Sequence, residues 1–142
     1  MGIDVRRLLS AVATAVGRDL RIKDFEDRLS LQKGVYILNS WGYGPTFRFN
    51  MYVHGPYSST LADEYYRIGD IEVGETNMPE AAIQDLSNIF TKGLGYTEAY
   101  ATLLMIRNNS PNATYDAIIK RALELKPHLK KEIKEASSSL LT

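Results

Sequence analysis

Apolar residues follow a helical spacing over most of the chain, and only one stretch departs from it. Between residues 47 and 53 the spacing changes to two, with Phe47, Phe49, Met51 and Val53 separated by other side chains. That alternation predicts a half-buried β-strand, whereas spacings of three and four residues predict amphipathic helices. The predicted fold class is mainly α, with about seven helices and a small β element of one or two short strands.

Capping residues predict where the helices begin. Asp4 and Gly17 bound a first amphipathic helix, and Asp24 begins a second helix that runs to Gly42. A variant capping box at Thr60-Leu-Ala-Asp63 predicts a third helix, with Ser58 and Ser59 as alternative caps. A fourth helix is predicted to begin at Pro79 and to end at Gly93 and Gly95. Three more are predicted to begin at Thr97, after residues 110–112, and at Pro127.

The strand at residues 47–53 needs a partner, because a lone strand leaves its backbone groups unpaired. Three partners are open: the segment Ile71–Val73, a short return near Tyr43, or a strand from another subunit.

The length of 142 residues suits one compact domain, 1–142. Residues 1–75 are expected to form an α-α-β-α unit, and residues 76–142 a helical bundle packed on it. The absence of cysteine excludes disulfides, thiolate metal sites and cysteine nucleophiles. No apolar run approaches the ~20 residues of a membrane span, and the N-terminus is predicted to be a helix rather than a signal peptide. A cytoplasmic protein without membrane contact is therefore expected.

Overall charge gives no support for nucleic-acid binding, because 17 basic residues balance 17 acidic ones. The basic residues near the C-terminus are interrupted by glutamates, which is typical of a solvated face. They are Lys120, Arg121, Lys126, Lys130, Lys131 and Lys134. A nucleic-acid-binding regulator, with a helix pair and a strand in a winged-helix-like arrangement, is the alternative function.

Few residues in the sequence have the type and spacing of a catalytic or metal-binding site. The only histidines, His54 and His128, lack the spacing of a metal site, so we expect no metal, no cofactor and no catalytic residues. A third hypothesis is a hydrolase or nuclease that uses His54 with Asp63 or Glu64.

Aromatic residues are concentrated in one region: nine of the fourteen lie between residues 36 and 66. Adjacent positions on a helix diverge by about 100°, so Tyr65 and Tyr66 cannot both face the core. Some of this tyrosine should therefore be exposed, as in a binding surface. A structural role, in which the hydroxyls tie down a corner, explains the pattern equally well.

The segment 29–73 resembles a pattern in the YwgA-like proteins of bacteria and archaea, and more distantly the Panacea domain. In those families a helix with Leu-Gln-Lys-x-x-Tyr leads to an extended segment, then Tyr-Gly-Pro, then another helix. The matching residues are Leu31, Gln32, Lys33 and Tyr36, then Gly55, Pro56, Tyr57 and Ser58. His54 stands where those families usually have tyrosine.

The resemblance implies a small, mostly helical, cytoplasmic prokaryotic protein that is an interaction module and not an enzyme. Panacea domains are linked to toxin neutralisation by direct protein contact. We therefore expect a protein partner, or a second copy of the chain, to bind an aromatic corner. The candidate partner-binding residues are Lys33, Tyr36, His54, Tyr57 and Tyr65.

Overall fold

Residues 4–74 and 76–141 are described in a computed structural model, and they form seven α-helices and one β-hairpin. The elements are α1 (Val5–Val16), α2 (Phe25–Ser40), β1 (Asn50–Tyr52), β2 (Gly55–Tyr57), α3 (Ser59–Ile68), α4 (Glu80–Thr91), α5 (Leu94–Asn109), α6 (Tyr115–Leu125) and α7 (Lys130–Leu140), with a 3-10 turn at Pro127–Leu129. The predicted fold class, mainly α with a small β element, is confirmed. Among these helices none combines the length and apolar character needed to cross a membrane.

Side-chain caps define the first two helices as the sequence predicts. Asp4 accepts a hydrogen bond from the Arg7 N–H at 2.9 Å, and Asp24 accepts one from the Glu26 N–H at 2.9 Å. These bonds satisfy N–H groups that have no partner within the helix. The predicted starts of α1 and α2 are therefore confirmed.

Two later helix starts need correction. Ser58 rather than Thr60 caps α3, because its hydroxyl accepts from the Leu61 N–H at 3.2 Å. Thr97 does not begin a helix: α5 starts at Leu94, and the Thr97 hydroxyl donates to the Gly93 carbonyl from inside it. The reason is that Gly93, with φ of 103°, turns the chain directly from α4 into α5.

The strand prediction was correct in place but wrong in length and partner. Of the predicted strand 47–53, the part that forms a strand is Asn50–Tyr52, and it pairs antiparallel with a second strand, Gly55–Tyr57. Ile71, one of the expected partners, instead forms an isolated bridge with Leu20. Gly55 has φ of 98°, so the chain can reverse immediately after β1 and pair with the segment that follows.

The core joins both halves of the chain. Helix α5 contacts α2, α4, α6, α7 and β2, while α1 packs against α2 and α4. A Cβ on Gly34 of α2 would lie 2.7 Å from Val12 Cγ1, so α1 and α2 approach closely only because this residue is glycine. Residues before and after position 75 consequently bury their apolar side chains in one cluster.

The side-chain amide of Gln32 fastens α2 to the junction between β2 and α3. Its oxygen accepts from the Ser58 N–H at 2.8 Å, and its nitrogen donates to the Ser58 carbonyl at 2.9 Å and the Tyr65 hydroxyl at 3.2 Å. Gln32 and Ser58 are 2% and 1% exposed, so water does not compete for these bonds. One side chain therefore sets the position of the hairpin and the start of α3.

Replacing Gln32 with leucine should destabilise the protein by about 2–3 kcal/mol, because the buried Ser58 N–H would lose its acceptor. The measurement is the free energy of unfolding in urea. The matched control is Gln84→Leu on α4, where an exposed glutamine bonds its neighbour Asn88 one turn along the same helix. That control should stay within about 0.5 kcal/mol of the wild type. Equal stabilities of the two variants would contradict this role for Gln32.

Candidate functional site

A cavity of about 330 Å³ lies between α2 and the hairpin and is called the hairpin pocket below. Its lining residues are Phe25, Leu29, Gln32 and Lys33 from α2, and Tyr52, Val53, His54, Gly55, Pro56 and Tyr57 from the hairpin. Ligand pockets range over roughly 300–1,000 Å³, so this one suits an amino-acid side chain or another small group.

The mouth of the hairpin pocket is built from exposed apolar side chains. Phe25, Tyr52, Val53 and Tyr57 are 50%, 55%, 77% and 36% exposed. The Phe25 ring meets the His54 ring edge-on with centroids 5.2 Å apart, and Tyr52 meets Tyr57 in the same way at 5.4 Å. These contacts fix the orientation of the rings at the mouth of the pocket.

Three charged side chains are buried beside this pocket: Lys33, Glu98 and Lys126. The Lys126 amino group donates to the backbone carbonyls of Tyr52 (2.7 Å) and Val53. It also lies 3.4 Å from Glu98 Oε2, which is an ion pair without hydrogen-bond geometry. Lys126 therefore connects the tip of the hairpin to the C-terminal half of the chain.

Gly55 allows the hairpin to cover these charges closely. A Cβ at this position would lie 3.3 Å from Glu98 Cγ and 3.9 Å from Lys33 Cε. The positive φ of Gly55 would also strain any other residue. A glycine is thus needed here for both conformation and space.

The amino group of Lys33 has no hydrogen-bond partner among residues 4–74 and 76–141. Lys33 is only 1% exposed. Burial lowers the pKa of Lys33 to about 8; the Glu98 carboxylate opposes this shift, while the Lys126 ammonium adds to it. A buried charge without a partner is costly, which makes Lys33 a candidate functional residue.

Three of the five candidate partner-binding residues line the hairpin pocket: Lys33, His54 and Tyr57. Tyr65 lies behind it, because its hydroxyl bonds Gln32 and only 2% of the residue is exposed. Its neighbour Tyr66 is 58% exposed, which confirms that the two rings do not share a direction.

Tyr36 is not among the residues that line the hairpin pocket. Its ring packs edge-on against Phe49 at 5.1 Å, and its hydroxyl accepts from Asn108 at 3.2 Å. Burial raises the pKa of Tyr36, and hydrogen bonds from Ser40 and Asn108 partly offset that effect. Of the four residues expected in one corner, Lys33, Tyr36, His54 and Tyr57, Tyr36 is therefore the one that does not line the pocket.

Sequence reasoning missed Phe25, Glu98 and Lys126. The sequence predicts that Lys126 belongs to a solvated basic face; this is wrong, because Lys126 is 4% exposed and bonded to the hairpin. A signal was available for Glu98, which is the one acidic residue in the otherwise uncharged stretch 93–106. For Phe25, next to the capping Asp24, no such signal existed.

The contacts of His54 and Glu64 do not bring the two residues together. His54 packs on Phe25, and Glu64 accepts a hydrogen bond from Arg67 at 2.6 Å. Within the described part of the chain, no group of three or more histidine and acidic side chains could hold a metal ion.

A larger cavity, of about 400 Å³, is lined by Trp41, Asp85, Lys92 and Tyr96 among others. Its charged residues, Asp85 and Lys92, are exposed to water, and Lys92 sits over the Tyr96 ring at 4.8 Å. The hairpin pocket is the stronger candidate because it has a buried charged group without a partner.

Comparisons with models of known protein families, with curated proteins and with solved structures found no match to this chain. The resemblance to the YwgA-like and Panacea families therefore stays a prediction.

Replacing Lys33 with methionine should stabilise the protein at pH 7, because it removes a buried charge. The free energy of unfolding should increase by on the order of 3 kcal/mol, which corresponds to the difference between the ordinary lysine pKa of 10.5 and the pKa of about 8 for Lys33. Folded wild type loses the Lys33 proton near pH 8, whereas unfolded chain keeps it until about 10.5. The free energy of unfolding of the wild type should consequently rise, relative to that of Lys33→Met, as the pH increases from about 8 to about 10.5.

The measurement is urea unfolding of both proteins at pH 7 and near pH 10, so that other titrating groups cancel in the difference. Lys130→Met, at an exposed position on α7, is the control and should show no comparable trend with pH. A Lys33→Met variant that is less stable than wild type at pH 7 would contradict the expectation.

Proposed function

We propose that this protein is a non-enzymatic interaction module of the YwgA-like or Panacea-like kind, and that its hairpin pocket receives an apolar side chain of a protein partner. The observation that carries this proposal is the clustering of exposed apolar residues. Seven large hydrophobic residues are exposed in the described structure, and Phe25, Tyr52, Val53 and Tyr57 among them line this one pocket. Such a patch beside a cavity is typical of a protein-binding surface.

The residues of the resemblance support the same function. Gln32, Lys33, Gly55, Pro56 and Tyr57 all line the hairpin pocket, although α2 and the hairpin are separated in sequence. A motif whose parts converge on one surface cavity is better explained by binding than by packing alone. The proposal places the protein in the cytoplasm of a prokaryote, with a second copy of the chain as the alternative partner.

The alternative, a winged-helix-like regulator that binds nucleic acid, has less support. Lys126 is buried and bonded to the hairpin, which removes it from the predicted basic face. The segment from Asn50 to Tyr57, which would act as the wing, contains no lysine or arginine. A wing that binds phosphates would need such residues.

The proposal is tested by affinity capture from a native prokaryotic lysate, with and without nuclease, followed by mass spectrometry. Tyr52→Ala is compared with Tyr115→Ala, because these tyrosines are 55% and 57% exposed but only Tyr52 lines the pocket. We expect Tyr52→Ala to weaken capture of a protein by about tenfold or more. Tyr115→Ala should leave it unchanged, provided that both variants unfold at the wild-type urea concentration.

The outcomes separate the alternatives. Binding that vanishes with nuclease and falls steeply between about 50 and 200 mM salt would replace the proposal with nucleic-acid binding. Capture of the chain itself, lost in Tyr52→Ala, would identify a second copy as the partner. Equal capture by Tyr52→Ala and Tyr115→Ala would show that the pocket is not the interaction surface.

A further inference from the structure

Lys33 is a charged residue that lines the hairpin pocket and lacks a hydrogen-bond partner for its amino group. An ammonium has three donors, and that of Lys33 meets no acceptor among the described residues. By contrast, the equally buried Lys126 reaches two carbonyls and a carboxylate. The difference is that Lys33 lines the pocket and Lys126 does not.

The buried charges beside the pocket are unbalanced. Two ammonium groups, Lys33 and Lys126, accompany one carboxylate, Glu98, and that carboxylate pairs with Lys126. The residues that line the pocket include no aspartate or glutamate. One added negative charge would balance the cluster.

The surroundings select the kind of anion. Apart from Lys33, the pocket walls are mostly aromatic and aliphatic, so they favour a ligand that is largely apolar. A phosphate carries up to two charges and needs several donors, whereas a carboxylate carries one charge and can pair with one ammonium. The chemistry that fits is therefore an apolar group attached to a single carboxylate.

We propose that the hairpin pocket binds the carboxyl-terminal residue of the protein partner, with its apolar side chain against the aromatic lining and its carboxylate paired with Lys33. The inference rests on the proposed function. A chain end carries an apolar side chain and a free carboxylate on the same Cα, within the span of a cavity of about 330 Å³. An internal aspartate or glutamate has a carboxylate but no adjoining apolar group of that size.

The test uses the full chain and tripeptide probes, acetyl-Gly-Gly-Leu and acetyl-Gly-Gly-Phe, each as the free acid and as the carboxyl-terminal amide. Calorimetry at pH 7 should show at least one acid binding about tenfold or more tightly than its amide. In Lys33→Met this preference should fall to within about twofold. Lys130→Met, which alters an exposed lysine on α7, should retain it.

A second readout follows the charge on Lys33 directly. The pKa of Lys33, followed by NMR of its ε-CH₂ group, should rise when the acid binds, because a carboxylate favours the ammonium form. The amide should leave this pKa unchanged. The preference for the acid should decline as the pH rises through the pKa of Lys33 in the complex, which lies above about 8.

Three outcomes would overturn the inference: equal binding of acids and amides, no binding of any tripeptide, or a preference for the acid that survives in Lys33→Met. Binding of 4-methylpentanoate or 4-phenylbutyrate as tightly as the tripeptides would also overturn it, and would indicate a free small acid as the ligand. The proposed function is tested independently by partner capture, because loss of capture in Tyr52→Ala does not depend on which group of the partner enters the pocket.

Discussion

The pair of hydrogen bonds between the Gln32 amide and the backbone of Ser58 is the interaction on which the rest of the site depends. It fixes the end of the hairpin and the beginning of α3 against one turn of α2. Lys33 follows Gln32 in the chain, about 100° further round the helix, and so faces the pocket and α5. The same turn of helix therefore supplies a structural clamp and a buried amine without a hydrogen-bond partner.

The unpartnered amine of Lys33 contrasts with Asp27, a second buried charge on α2. Asp27 is 1% exposed, and its carboxylate accepts two hydrogen bonds from Arg18 and one from the Arg21 N–H. Burial alone would raise the pKa of Asp27, but these bonds outweigh it and the pKa is lowered. Lys33 has no such partner among the described residues, and neither do Glu98 Oε2 and the Thr102 hydroxyl, whose side chains lie with Lys33 around Gly55.

Local signals were sufficient to predict much of the fold. Asp4 and Asp24 are caps because a short side chain and the next N–H groups decide the outcome, and the strand was located by its alternation. The site was harder, because its parts are far apart in sequence: Lys126 bonds carbonyls 73 and 74 residues away. Nothing near Lys126 distinguishes it from the exposed lysines that follow, and helical spacing could not show that Tyr57 lines the pocket while Tyr36 does not.

The bond between Lys126 and the hairpin tip also sets when the pocket can form. During translation, α2 and the hairpin are synthesised well before residue 126, and chains begin to fold from the N-terminus. Until Lys126 has been added and α5 has placed Glu98 beside it, the carbonyls of Tyr52 and Val53 lack their anchor. A nascent chain that ends before residue 126 therefore lacks the side chain that holds the hairpin tip to the C-terminal half.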